Sequence, residues 1–332
     1  MPIPFIIGGI ALATGAYGVK KGMEAKEDYN TANSINEKAQ IIYDKEKKRL
    51  EDVRKKTHNK LESLGELKFE LYKSSILPFL QMYNKIQNIP EKELNYKEGK
   101  ENFKIKKLDF KNIEFEVQTI VGGGVASLGV GGLVGLASYG GASSFGSTIG
   151  GIAISSIPRV FTQNATLAWL GGGSIASGGF GIVGGMTVLG GIVVGPTLAV
   201  GGTLVASKAE ELKENAYSNL KQAELAVEEM KIATVKTKAI QRRVNELRKI
   251  TIKINQYFIP YLSALSYVVL NETDWNKYSQ KDKETVLKTY SIAKTLLNLL
   301  EVNLLTQEGN LTKSSKEIIH LSNNFFKVEN NG

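Results

Sequence analysis

The sequence predicts an all-α protein: an elongated helical bundle with an antiparallel coiled-coil stalk and a glycine-rich hydrophobic region of helical hairpins. Apolar residues recur at steps of three and four along two long charged segments, which is the pattern of amphipathic helices. These segments bracket an uncharged block, residues 119–206, in which Arg159 is the sole charged side chain. This block also contains 25 of the 34 glycines. Charged and apolar residues are therefore segregated along the chain.

The N-terminal segment, residues 1–22, is apolar up to Lys20 and Lys21. A secretory signal carries its positive charges before the apolar stretch, whereas here they follow it. The stretch is also at the short end of the roughly 20 residues that a membrane-spanning helix needs. A membrane-dipping or protein-packed helix is the better interpretation.

Residues 23–89 are predicted to form a long amphipathic helix, with a kink or break at Pro78. Residues 90–118 follow as a polar connector. Alternating apolar residues near its end, from Phe103 to Val117, suggest a short strand pair or an ordered loop.

Residues 207–260 are predicted to form a second long amphipathic helix, whose alanine-rich seam permits close helix approach and which ends at Pro260. Residues 261–332 are predicted to contain shorter C-terminal helices. The part of the first helix at residues 22–75 and the second helix at residues 203–258 have 54 and 56 residues, and each would reach about 80 Å at 1.5 Å per residue. Because they are nearly equal in length and flank the apolar block, we expect an antiparallel stalk; two unrelated helices of a globular bundle are the alternative.

The glycine block has the length of several membrane spans, since each needs about 20 residues. Small residues spaced four apart let membrane helices approach closely, and this spacing recurs along the block. The residues predicted to serve membrane insertion and helix packing are Gly131, Gly135, Gly146, Gly150, Gly172, Gly181, Gly185, Gly191 and Gly195.

One stretch of the block, GFGIVGG at residues 179–185, matches the dinucleotide-binding pattern. A genuine fingerprint needs a preceding strand and an acidic residue about 20 positions later. The preceding residues are a poor strand, and the next acid is Glu210. We therefore assign these glycines to helix packing. The alternative that the protein is an enzyme or a nucleotide-dependent switch is supported by this motif alone.

Other catalytic chemistry has little support in the sequence. The chain contains no cysteine, and its two histidines are His58 and His320, which excludes thiolate ligation and disfavours a histidine-rich metal site. The carboxylates lie among lysines in helical segments, where pairing across one turn is the simplest role. We expect no catalytic residues, no cofactor and no metal, and hence a protein that is not an enzyme.

A basic cluster lies in the second long helix. The net charge of +9 favours contact with anionic surfaces, and aromatic residues are not interleaved with the basic ones, so we expect no nucleic-acid partner. Solvation of a coiled coil is the alternative role. The residues predicted to contact lipid headgroups are Lys236, Arg242, Arg243, Arg248 and Lys249.

Two stretches of the chain resemble a bacterial glycine-zipper family of largely unassigned function, some members of which carry a chemotaxis label. They are ATLAWLGGGSIASGGFGIVGGMTVLGGIVVGPTLAVGGTLVASKAE, after Asn164, and the opening PIPFIIGGIALATGAYGVKKGMEAKEDY. The resemblance implies no catalytic residues. In architecture the layout is similar to apolipoprotein L and the α-helical pore-forming toxins, which release an apolar hairpin from a helical bundle into a bilayer.

Taken together, these features predict a membrane-inserting helical protein that self-associates through small-residue helix faces and perturbs or permeabilises a bilayer. The alternative is a resident integral membrane scaffold whose charged stalk recruits protein partners. The expected partners are a lipid bilayer, further copies of the chain, and a protein bound through the stalk. The expected location is the membrane, with a soluble cytoplasmic form stored before insertion.

Overall fold

The structure, a computed structural model, describes residues 18–90, 110–140, 209–306 and 309–329. Within these ranges it contains helices and no β-strand, with isolated bridges at Gln87–Asp274 and Leu305–Leu311. The predicted all-α class is therefore confirmed for the described residues. The helices are α1 Gly18–Leu71, α2 Leu77–Tyr83, α3 Phe110–Gly123, α4 Val125–Tyr139, α5 Ala209–Asn271, α6 Gln280–Glu301 and α7 Lys313–Glu329.

The chain divides into two compact units. Unit 1 comprises Met1–Lys56 and Gly190–Lys238, and unit 2 comprises Thr57–Leu189 and Ala239–Gly332. Helices α1 and α5 contribute residues to both units.

In unit 1, α1 and α5 pack through small side chains. A cluster of Leu50, Ala226, Met230 and Ala233, with Tyr43 against it, lies between the two helices. Alanine side chains let helix backbones approach closely, although each removes little apolar surface from water. The buried alanines of unit 1 are Ala32, Ala39, Ala216, Ala223, Ala226 and Ala233.

Helices α1 and α5 run parallel, so the predicted antiparallel stalk is wrong. In unit 1 the side chains of Asp28 and Asn36 bond Lys213 and Asn219, partners 185 and 183 residues further along the chain. In unit 2 the partners are 184, 185 and 180 residues apart, in the pairs Thr57–Gln241, Lys60–Asn245 and Ser75–Asn255. Such a nearly constant offset requires parallel helices. The long segment between α1 and α5 makes this direction possible.

Unit 2 contains a large core to which the glycine-rich helix α4 belongs. Its buried residues Val134, Leu136, Ala137 and Tyr139 pack with residues of α1, α5 and α6. Helix α1 meets α4 at Gly65, where a Cβ atom would overlap the backbone oxygen of Leu133 and lie 2.6 Å from its carbonyl carbon. This close approach explains why a glycine occurs in the C-terminal part of α1.

None of the helices in the described ranges is both long enough and apolar enough to cross a membrane. Helix α4 is apolar but has only 15 residues, whereas a span needs about 20; α1 and α5 are long but carry charges along their length. This finding contradicts the predicted membrane-inserting, pore-forming function.

Three helix limits differ from the sequence-based expectations. The π-helical turn Tyr72–Ile76 follows α1 and leads directly into α2, in which Pro78 is the second residue. Helix α3 begins at Phe110, so the strand pair suggested for the end of the connector is wrong there. Helix α5 continues through Pro260 to Asn271.

The continuation of α5 through Pro260 has a local cause. Proline removes the hydrogen bond to the carbonyl oxygen four residues earlier, which belongs to Gln256. Both Gln256 and Pro260 are exposed, so water can satisfy that carbonyl. The buried residues Phe258 and Leu265 hold the opposite face of the helix in the core of unit 2.

Helix α6 begins with a capping box. The hydroxyl of Ser279 accepts a hydrogen bond from the Asp282 N–H, and the Asp282 carboxylate accepts one from the Ser279 N–H, each at 3.2 Å. We expect Ser279→Ala to lower the free energy of unfolding by about 1 kcal/mol, the usual cost of an N-cap, as measured by urea titration. Ser263→Ala, at an exposed site inside α5, is the control. An equal loss in both variants would contradict the capping role.

Candidate interaction surface and buried lysine cluster

In unit 1, α5 exposes several large apolar side chains, whereas most of the apolar residues that it buries are alanines. Tyr217, Leu225, Ile232 and Val235 of α5, here called the outer stripe, are exposed by 53%, 57%, 55% and 64%. On the opposite side of the same helix, alanines form the contact with α1. This inverts the usual amphipathic arrangement, in which the large apolar side chains face the interior.

The outer stripe follows one side of the helix, and two charged residues, Lys221 and Glu228, lie between its members within the same arc. At about 100° per residue, its four side chains fall within roughly 80° of arc, and they span about 27 Å along the axis. The buried residues Ala223, Ala226 and Met230 lie on the far side of the helix. Exposed apolar side chains on one side of a helix, with charged residues among them, form a surface that a second helix can contact.

Charge is segregated along α5 within unit 1. From Glu210 to Glu229 the helix carries six glutamates and two lysines, whereas from Lys231 to Lys238 it carries three lysines and no acid. Two of the lysines already have partners: Lys213 pairs with Asp28 at 3.0 Å, and Lys231 pairs with Glu228 at 2.7 Å. Hydrogen bonds to these carboxylates raise the pKa of both lysines.

Unit 2 contains a second notable feature, the fully buried Lys68. Its Nζ donates a hydrogen bond to the carbonyl oxygen of Leu136 at 3.2 Å. Burial lowers the pKa of Lys68 to about 7, and the nearby Glu301 carboxylate partly opposes that shift. The hydroxyl of Tyr72 donates to Glu301 Oε1 at 2.5 Å. Helices α1, α4 and α6 and the turn after α1 therefore meet at one polar cluster.

The Lys68 cluster completes the C-terminal end of α4. The last carbonyls of a helix lack intrahelical partners. Lys68 satisfies that of Leu136, and the backbone N–H groups of Leu304 and Leu305 both donate to Ser138 O at 2.9 Å. The next residue after α4, Gly140, has φ +91°, and a Cβ there would lie 2.7 Å from Asn303 Oδ1. The cluster therefore provides hydrogen-bond donors for the end of α4 and places the Lys68 ammonium near the Glu301 carboxylate.

The predicted packing glycines are only partly described. Gly131 and Gly135 lie in α4, and Gly135 is buried. The others lie outside the described residues: Gly146, Gly150, Gly172, Gly181, Gly185, Gly191 and Gly195. The GFGIVGG stretch lies there too.

The predicted headgroup-binding residues all lie in α5. Lys236 in unit 1 and Arg242, Arg248 and Lys249 in unit 2 are exposed. Arg243 differs, because its guanidinium donates to Ser315 Oγ at 3.0 Å and pairs with Glu246 at 3.2 Å. The Arg243 side chain therefore contacts the start of α7 instead of facing solvent.

Sequence reasoning did not identify the outer stripe or Lys68, although both left a signal. Lys68 occupies a position in the apolar repeat of Leu61, Leu64 and Leu71, where a leucine would be expected. The outer-stripe residues do not belong to the alanine seam of α5, and their side chains are larger than the alanines of that seam.

Comparison with known proteins finds no match for this chain: no protein family, no curated protein and no solved structure is similar to it. The resemblance to a glycine-zipper family therefore stays a prediction.

Proposed function

We propose that this protein is a non-enzymatic helical binding protein, and that the outer stripe of α5 in unit 1 is its protein-binding surface. The exposure of Tyr217, Leu225, Ile232 and Val235 supports this proposal most directly. Fully burying a side chain of this size contributes about 1.5–3 kcal/mol, so their arrangement in one row provides a substantial driving force for association.

The polar surroundings of the stripe suit a reversible protein contact. Charged residues lie both beside and between the apolar side chains of the stripe on α5, and protein interfaces likewise combine apolar centres with polar rims. The partner chemistry that fits is an amphipathic helix, whose apolar row would lie along the stripe.

Site-specific photocrosslinking tests the proposal. A photoreactive amino acid in place of Leu225, in the full chain within expressing cells, should form a protein adduct on illumination. The same probe in place of Gln222, which is exposed on α5 away from the stripe, is the control and should form little or none. Absence of any protein adduct at position 225 would overturn the proposed binding surface.

A further inference from the structure

We infer that the partner at the outer stripe is a second copy of this chain, with the two α5 helices packed antiparallel in a symmetric dimer. This inference rests on the proposed function and specifies the occupant of the same surface. The distribution of charge along α5, the helix that carries the stripe, supports this assignment.

Charge complementarity selects the direction. A parallel pairing would place the glutamates up to Glu229 beside the same glutamates of the second copy, and the three following lysines beside lysines. An antiparallel pairing centred near Lys231 places residues 224–229, which carry three glutamates, beside residues 233–238, which carry two lysines. Opposite charges across an interface determine orientation, since like charges placed side by side are unfavourable.

The register follows from the same residues. With the two-fold axis near Lys231, Ile232 packs near Ile232 of the second copy and Leu225 lies near Val235 of the second copy, while Tyr217 lies beyond this overlap. Two-fold symmetry then repeats each contact.

The flanking charges agree with this register. Glu224 lies opposite Lys238 of the second copy, and Glu229 lies within about one turn of Lys236 of the second copy. Each of these pairs is separated by fourteen or seven residues in the sequence. These separations are close to four and two helical turns, so the two residues of each pair lie on the same side of α5. An antiparallel pair of helices requires this placement.

Sedimentation velocity of the full-length chain over a range of concentrations tests the dimer. We expect a concentration-dependent monomer–dimer equilibrium. Leu225→Glu should raise the dissociation constant at least about tenfold, because symmetry disrupts two copies of the contact. The matched control is Leu270→Glu in unit 2, where a leucine is exposed by 81%; it should leave the equilibrium unchanged. Circular dichroism verifies that both variants stay helical.

A charge exchange tests the orientation. Glu224→Lys or Lys238→Glu alone should weaken the dimer about fivefold by placing like charges together, and the double variant should restore it. A monomer at all concentrations, an equal effect of Leu270→Glu, or failure of the double variant to recover would overturn the antiparallel dimer. A monomer whose position 225 crosslinks to a different protein overturns this inference and leaves the proposed function standing.

Discussion

Gly65→Ala should destabilise unit 2 by about 3 kcal/mol, a typical cost of forcing added volume into a packed core. The new Cβ would overlap the backbone oxygen of Leu133 and lie 2.6 Å from its carbonyl carbon and 2.9 Å from its Cα. Because these are backbone atoms of α4, no side-chain rotation can relieve the clash. The helices must separate, and the core contacts that α4 makes must loosen. Urea or guanidinium denaturation, followed by circular dichroism, measures the loss.

The matched control for Gly65 is Gly122 in α3. A Cβ at Gly122 has no heavy atom within 4 Å, so Gly122→Ala should gain up to about 1 kcal/mol from the higher helix propensity of alanine. The same substitution is therefore expected to act in opposite directions at the two sites. If Gly65→Ala proved as stable as the unsubstituted chain, α1 and α4 would not approach as closely as the structure shows.

Lys68→Met should remove a component of the pH dependence of stability. The folded-state pKa of Lys68 is about 7, below its ordinary value of 10.5, chiefly because the ammonium is desolvated. Between these pH values the unfolded chain binds more protons than the folded one, so stability rises with pH across this window. Below pH 7 both states are protonated and the full cost of burying the charge remains.

The size of the effect follows from the shift. Each pKa unit corresponds to about 1.4 kcal/mol, so the Lys68 contribution to the rise is on the order of 5 kcal/mol. The methionine variant has no such contribution, and its advantage over the lysine protein should therefore shrink as the pH increases from 7 to 10. It also loses the hydrogen bond to Leu136 O, which costs about 1–3 kcal/mol at every pH.

Denaturant titrations at several pH values separate these two effects of Lys68→Met. The loss of the cap displaces the whole curve, whereas the loss of the buried amine changes its slope. Lys73→Met, at an exposed position in the turn after α1, is the control and should keep the slope of the unsubstituted protein. Parallel curves for Lys68→Met and the unsubstituted protein would show that Lys68 is not held in a desolvated site.

Sequence periodicity was a good guide to the helices of this protein and a poor guide to their partners. The repeats that predicted two long helices correspond to α1 and α5, because burying one face of a helix requires apolar residues at steps of three and four. The direction of the pair was mispredicted, since both directions bury the same seam. Proline was likewise misleading at Pro260, because the effect of a proline depends on whether the freed carbonyl can reach water.

Composition was also misleading about function. An uncharged, glycine-rich block indicates membrane spans when it is considered alone. Its first described part, α4, is instead a 15-residue helix in the core of unit 2, contacted closely at Gly65 and capped by Lys68. A buried helix in a protein and a helix in lipid have similar compositions, because both environments exclude water.

The sequence by itself determined that the described part of this chain is helical and which faces of α1 and α5 carry the alanine seam. These properties depend on residue spacing and local hydrogen bonding, which are encoded within each helix. Tertiary structure alone decided that α1 and α5 run parallel, that Lys68 is buried against a helix end, and that Leu225 and Ile232 face solvent. Those outcomes depend on which surfaces meet, and residues far apart in the chain determine this jointly.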